Sequence, residues 1–240
     1  MIDAGLPVRA FFTTRRGGSS APPYDSLNLA THVGDDPDAV ALNRATVSAA
    51  VGGPVSFLHA EHGIGVAEVL EPGAEPPPAD VLVTRVPGVA IAAIAADCVP
   101  ILLHDAATGA VAAAHAGREG VYLGVVDAAV AALLDLRPQR AHGDLSASIG
   151  PSICGRCYEV PADMRERVAS RHPTARSETP SGTPALDLPR AVETRLGELG
   201  FADVVRHMAC TAEEPSLFSH RRDGVTGRIA GVVMCGVSVR

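Results

Sequence analysis

The stretch AADCVPILLHDAATGAVAAAHAG, residues 95–117, constrains the fold more than any other. Almost all of it is Ala, Val, Ile and Leu, so it is core material, and a chain of 240 residues can bury a core around it. It reads as a β-hairpin centred near Ala107. In that register Leu103 faces Val111, Ile101 faces Ala113 and Val99 faces His115. Cys98 lies one residue beyond Val99, so Cys98 and His115 are expected to meet at the open end of the hairpin. The expectation depends on register, because a slip of one residue turns every side chain over.

A thiol beside an imidazole has three readings. As a metal pair it suits Zn²⁺, which needs one or two further ligands. As a catalytic dyad, the imidazole deprotonates the thiol for nucleophilic attack. The third is a buried Cys with an unrelated His. A further donor stands in FLHAEHGIG, where His59 and His62 leave a strand ahead of Gly63. Two His and one Cys with one open position is the pattern of a catalytic zinc, whose water is a nucleophile near neutral pH.

Around this hairpin the chain reads as short strands with few helices. Strands are expected at 9–14, 55–59, 66–70, 80–86, 89–96, 145–150, 203–209 and 227–239, with a Pro87-Gly88 turn between the fourth and fifth. A helix runs from Pro37 to about Val51, capped by Asp36. Others span Leu123–Leu136, Pro161–Arg171 and Pro189–Leu199, the last ended by Gly200. Hairpins outnumber strand–helix–strand units, which favours an α+β layered domain over a doubly wound sheet.

The formal net charge of −7 argues against nucleic acid or an anionic membrane as the main partner. No N-terminal signal is visible, and the longest apolar run, 88–103, is short and broken by Asp97, Cys98 and Pro100. A cytoplasmic location is expected, with the five cysteines as free thiols or metal ligands.

Other motifs carry candidate chemistry. TTRRGGSS places Arg15 and Arg16 ahead of glycines whose N–H groups can approach a phosphate, or it is a solvated turn. SHRRDG adds His220, Arg221 and Arg222. Asn28 orients a substrate or satisfies loop backbone. Asp97 needs a partner in its apolar run, either as acceptor for a metal-bound His or general base, or as a structural bond to a loop N–H. HAE at 59–61 with Cys154 and Cys157 mimics a zinc-deaminase signature, but the halves are far apart and Pro151 is separated from Cys154. Cys154 and Cys157 read as two core thiols, His104 as a surface residue, and His142, His172 and His207 as histidines without functional company.

TTRRGG, PYDSLNLATHVGDDPDAVALNR, EHG, ADVLVT, AADCVPILL, AAHAG, IGPSICGRCYEV, LDL and CTAEEPSLFSHRRDGVTGR occur in this order from about Phe12 to Val233. Together they resemble the YfiH family, also called laccase-domain proteins, multicopper polyphenol oxidases or peptidoglycan editing factor. The resemblance implies one CNF/YfiH-like domain over residues 1–240 with a four-layer α/β/β/α sandwich. It implies a metal site on His62, Cys98 and His115, holding zinc, with copper as the older label. It implies purine nucleoside chemistry: phosphorolysis of adenosine, inosine and methylthioadenosine, with adenosine deamination. On this reading Cys98, His115 and Asp97 are catalytic, while Arg15 or Arg16, Asn28, Arg221 and Arg222 receive nucleoside and phosphate. The alternatives are a Cys98–His115 hydrolase acting on a peptidoglycan precursor, a laccase-type oxidase, and a non-catalytic homologue. A multicopper array needs more His clusters than this chain offers. Where the family usually reads HAGWRG, this chain has Arg118 and Glu119, which is expected to reverse a charge near an anionic substrate.

Overall fold

The apolar strands are apolar throughout because each lies between two cores. In the computed structural model, which describes residues 1–137 and 145–236, five strands form one sheet: β1 (Ile2–Asp3), β2 (Ala10–Phe12), β3 (Val55–Phe57), β6 (Ala90–Ala95) and β13 (Ile229–Met234), in spatial order β1-β2-β13-β6-β3. Six form a second: β4 (Val66–Glu68), β5 (Val81–Thr84), β7 (Val99–Asp105), β8 (Val111–Ala116), β9 (Leu145–Ile149) and β12 (Asp203–Arg206), in order β12-β9-β7-β8-β5-β4. A separate ribbon pairs β10 (Arg176–Glu178) with β11 (Pro184–Leu186).

Side chains alternate across each strand, so the central strands β6, β7 and β8 feed two layers each. Ile91 and Ala93 of β6, Leu102 of β7 and Val111 and Ala113 of β8 fill the space between the sheets. On the outer side of the five-stranded sheet, Ala90, Ala92 and Ile94 pack with Val47 and Val51 of helix α1 (Pro37–Val51). On the outer side of the other sheet, Ile101, Leu103, Ala112 and Ala114 meet α3 (Val125–Asp135) and α5 (Leu188–Glu198) through Ala129, Leu133, Val192 and Leu196. The order is α/β/β/α, as expected. The shorter α2 (Arg118–Leu123), α4 (Ala162–Ala169) and α6 (His220–Asp223) follow loops.

Four expectations need correction. The central hairpin is real, but Pro100, not Val99, faces His115, and Leu103 faces Ala112. The cause is the turn. Gly109 takes φ +74, Asp105 N donates to Ala110 O, and the Asp105 carboxylate accepts from Ala107 N and Thr108 Oγ1. That closes a four-residue loop and centres the hairpin half a residue later. Second, the strands on either side of Pro87-Gly88 do not pair. The turn exists, with Val89 N bonded to Val86 O, but it carries the chain from one sheet to the other. Third, Leu123–Leu136 is not one helix, because Gly124 at φ +100 separates α2 from α3. Fourth, His104 is buried rather than at the surface, beside Ser146. His142 and the end of the 227–239 strand lie outside the described residues.

Phe12 wedges the sheets together. Its ring is fully buried, meets His207 edge-on at 5.1 Å, and occupies space that side chains at Gly150 and Gly231 would fill. Phe12→Ala leaves that space empty and is expected to cost about 3–5 kcal/mol in urea unfolding. Gly231→Ala puts a Cβ 2.7 Å from the same ring and should cost about 1–3 kcal/mol by overpacking.

Candidate metal centre and pocket

Two strand ends and a loop assemble the site. His115 lies near the end of β8, opposite Pro100, and Cys98 stands just before β7, in the bend that follows Asp97. His62 arrives from the loop after β3. One ligand atom from each of His62, Cys98 and His115 lies within 4.8 Å of the other two. The two imidazoles stand edge to face, centroids 4.8 Å apart. Gly117 leaves the room: a Cβ there would sit 2.9 Å from His62 Cδ2, 3.3 Å from Cys98 Sγ and 3.4 Å from His115 Cε1. The group sits at the end of a rigid strand pair, with His115 buried, Cys98 half-buried and His62 open to solvent.

Asp80, buried at the start of β5, organises the donors. Its Oδ1 accepts from His62 N at 2.8 Å and lies 3.4 Å from His115 Nδ1. Its Oδ2 accepts from Gly63 N at 2.7 Å, and its carbonyl accepts from His115 N at 2.9 Å. Burial raises the Asp80 carboxyl, but the His115 ring and the two N–H groups outweigh it and hold the group below its usual range. An ionised carboxylate can only accept, so it keeps a proton on His115 Nδ1, and Nε2 is the nitrogen that would give up its proton to hold a metal. Burial likewise raises the Cys98 thiol, and the His115 and His62 rings overcome it, bringing it to about 6. Burial lowers His115, and the sulfur and Asp80 overcome that, raising it to about 9. The pair therefore holds a thiolate against an imidazolium, an electrostatic arrangement that a divalent cation can replace. Sulfur and nitrogen donors at this separation fit a tetrahedral, borderline-soft cation with one position left over.

The backbone is strained at two points here. His62 (φ +62) and Asp97 (φ +83) are the non-glycine residues with positive φ among those described. Asp97 is held by its own bonds. Oδ1 accepts from Thr211 Oγ1 at 2.6 Å and Ser219 Oγ at 2.7 Å, Oδ2 accepts from Arg221 N at 2.7 Å, and its carbonyl accepts from Ile153 N. The carboxylate that reaches His115 is that of Asp80, not Asp97.

A pocket of about 270 Å³ opens on the donors, lined by His62, Cys98, His115, His32, His220 and Arg228 among others. Arg15 and Arg16 lie elsewhere, in a shallow hollow with Asp25, Ser26 and Pro215. Arg15 bonds the Asp25 carbonyl and carboxylate and packs over Phe218. Arg222 is spent on Thr211, Glu214 and Leu217 carbonyls and on Asp223. Arg221 reaches Glu159 O and stacks near Tyr158. Asn28 is buried. Its amide donates to Ala30 O and Asp35, and its Oδ1 accepts from Ala30 N and Arg228 N. It thus fixes the backbone of the residue whose guanidinium lines the pocket. His59 stacks on His32 at 5.6 Å and faces an adjoining hollow. Glu119 does not reverse the charge of the pocket, because it forms a two-point ion pair with Arg167, 2.7 and 2.8 Å, outside the pocket lining. Asp80 and Arg228 were not singled out from the sequence. Each is a charged residue at the start of an apolar strand, where a side chain can reach the sheet's end.

A four-layer α/β/β/α fold with a His-Cys-His donor set at the sheet ends defines the class. A family model described as multi-copper polyphenol oxidoreductase laccase matches residues 9–236, and the chain belongs to this family, the YfiH family. A Mycobacterium tuberculosis protein named purine nucleoside phosphorylase is 46% identical over 235 residues, covering 96% of this chain and 93% of its own length. A Streptomyces coelicolor protein of the same name is 48% identical over 227 residues, 92% of this chain and 93% of its own. The crystal structure of YlmD from Geobacillus stearothermophilus superimposes with a TM-score of 0.87 at 32% identity, over 97% of this chain and 95% of that one.

Asp80→Asn keeps the shape but removes the charge that orients His115. It is expected to weaken binding of a divalent cation about 10–100-fold, read by competition of added Zn²⁺ against a chromogenic chelator.

Proposed function

We propose that the chain is a zinc-dependent purine nucleoside phosphorylase, taking adenosine, inosine or methylthioadenosine and releasing the free base and the sugar 1-phosphate. The observation that carries the reading is the His62–Cys98–His115 donor set opening on a pocket lined by Arg228 and His220. The names of the relatives at 46–48% identity supply the substrate class. A zinc ion held by His62, Cys98 and His115 would supply Lewis acidity toward a substrate oxygen.

The chain's own residues do the rest. Phosphorolysis breaks the bond from C1′ to the base nitrogen and forms one from C1′ to phosphate oxygen, and the departing base takes a proton. The Arg228 guanidinium offers an anion fixed charge and forked donors, with its backbone pinned by Asn28 and one arm bonded to Thr226 and Gly227 carbonyls. His220 lines the pocket and is fixed through Nδ1 to Gly224 O at 2.7 Å, which leaves its other ring nitrogen free to hold a proton for transfer. Zinc is preferred over copper because a multicopper array needs several imidazole groups. Among the described residues, His62, Cys98 and His115 are the one candidate group that contains histidine.

Cys98→Ala is expected to lose metal and phosphorolysis together, and Arg228→Met to raise KM for phosphate more than tenfold with the metal retained. The measurement is zinc per chain by elemental mass spectrometry, with product analysis on adenosine in the presence and absence of phosphate. Adenine and ribose 1-phosphate formed only with phosphate support the reading. Inosine formed regardless of phosphate reassigns the site to deamination. Full activity in metal-free protein overturns it.

A further inference from the structure

A second cluster of donors stands apart from the pocket and shares no residue with it. Cys154, Cys157, Cys210 and Glu213 each bring one ligand atom within 4.8 Å of the others. The sequence reading took Cys154 and Cys157 as core thiols and did not connect them with Cys210, which is 53 positions further along. The fold makes the connection. β9 and β12 are parallel neighbours, and the pairing continues past their ends as a bridge between Ser152 and Cys210. The two loops that leave these strands therefore run side by side.

Each loop is a tight turn with donors three residues apart. In Cys154-Gly-Arg-Cys157, the N–H groups of Cys157 and Tyr158 both donate to Cys154 O at 3.0 Å. In Cys210-Thr-Ala-Glu213, the N–H groups of Glu213 and Glu214 donate to Cys210 O at 3.1 and 2.8 Å. The spacing presents both donors of each turn on the same side. Across the seam, Cys154 N donates to Cys210 Sγ at 3.3 Å. That contact ties the two turns together at the Cys210 sulfur. The three thiols are free, and their number is odd, so a single disulfide would leave one over.

We propose that Cys154, Cys157, Cys210 and Glu213 hold a second divalent cation, of the zinc class, in a closed four-ligand structural site. Three thiolates select a soft or borderline cation, and a full set of four protein donors leaves no position for substrate. The cation would clamp the loop after β9 to the loop after β12. Both loops hold Asp97: Ile153 N bonds its carbonyl and Thr211 Oγ1 its carboxylate. Asp97 precedes Cys98 and carries positive φ. The clamp thus supports the strained residue from which Cys98 enters the pocket.

The test uses the full chain, stripped by chelator under reducing conditions, reloaded with zinc and desalted. Two zinc ions per chain are expected in the parent and one in each of Cys98→Ala, Cys157→Ser and Cys210→Ser. Zinc should raise Tm in Cys98→Ala but by much less in Cys210→Ser. If the serine variants do not fold, alkylation of the parent with peptide mapping decides. Cys154, Cys157 and Cys210 should be protected by zinc in both the parent and Cys98→Ala, and should react after chelation. Equal labelling with and without zinc, a disulfide between Cys154 and Cys157 in the zinc-loaded protein, or unchanged zinc content in folded Cys157→Ser and Cys210→Ser overturns the proposal. Only the total of two ions rests on the proposed zinc at His62, Cys98 and His115; the zinc lost from Cys157→Ser and Cys210→Ser and the protection of the three thiols do not depend on it.

Discussion

The carboxylate of Asp80 is bonded from three directions, and the pocket depends on it. It fixes the backbone of His62 and Gly63 through two N–H groups and the ring of His115 through Nδ1, while its own carbonyl holds His115 N. One buried anion thus connects a loop, a strand start and a strand end. A buried carboxylate without such partners would protonate rather than remain charged. Here two N–H groups and an imidazole repay its desolvation, and the same contacts define which nitrogen of His115 is free. Positioning and electronic tuning of the donors come from a single group.

That group can act only because the sheets beneath it are rigid. β7 and β8 are buried on both faces, and the alanines of β8 let the flanking layers approach closely. The hairpin and its converging Cys98 and His115 were legible as an apolar run interrupted at its ends. The register was not, because it is set by Asp105 capping a four-residue loop, a turn detail that the apolar pattern does not encode. Cys98 stands before β7, in a bend where Asp97 takes φ +83, so its convergence with His115 at the open end of the hairpin does not depend on strand alternation.

The ligand types were legible from residue chemistry, and the resemblance chose His62 over His59. What stayed hidden was how charged residues are spent. Arg15, Arg222 and Asp97 look available in a sequence, yet each satisfies loop backbone or a neighbouring charge. Loops of this length carry many N–H and C=O groups that no strand pairs, and charged side chains are the partners at hand. Arg228 and Asp80 look structural in a sequence because they open apolar strands, and both face the site.

The substitution of Glu119 for the usual Arg illustrates the same economy in reverse. A charge reversal beside a pocket should alter the field felt by an anion. Glu119, however, lies on the first turn of α2, and its two oxygens are taken by the Arg167 guanidinium, which also stacks on Tyr122 at 4.0 Å. The pair is exposed, so its net field is small and further screened by solvent. Arg118, one residue earlier, lies with Arg221 beside Tyr158, where burial and the Cys98 sulfur push the phenol up and the two guanidiniums oppose them. Arg118 therefore places a guanidinium beside the Tyr158 phenol, one position before the carboxylate. Glu119 itself is thus neutralised outside the pocket lining.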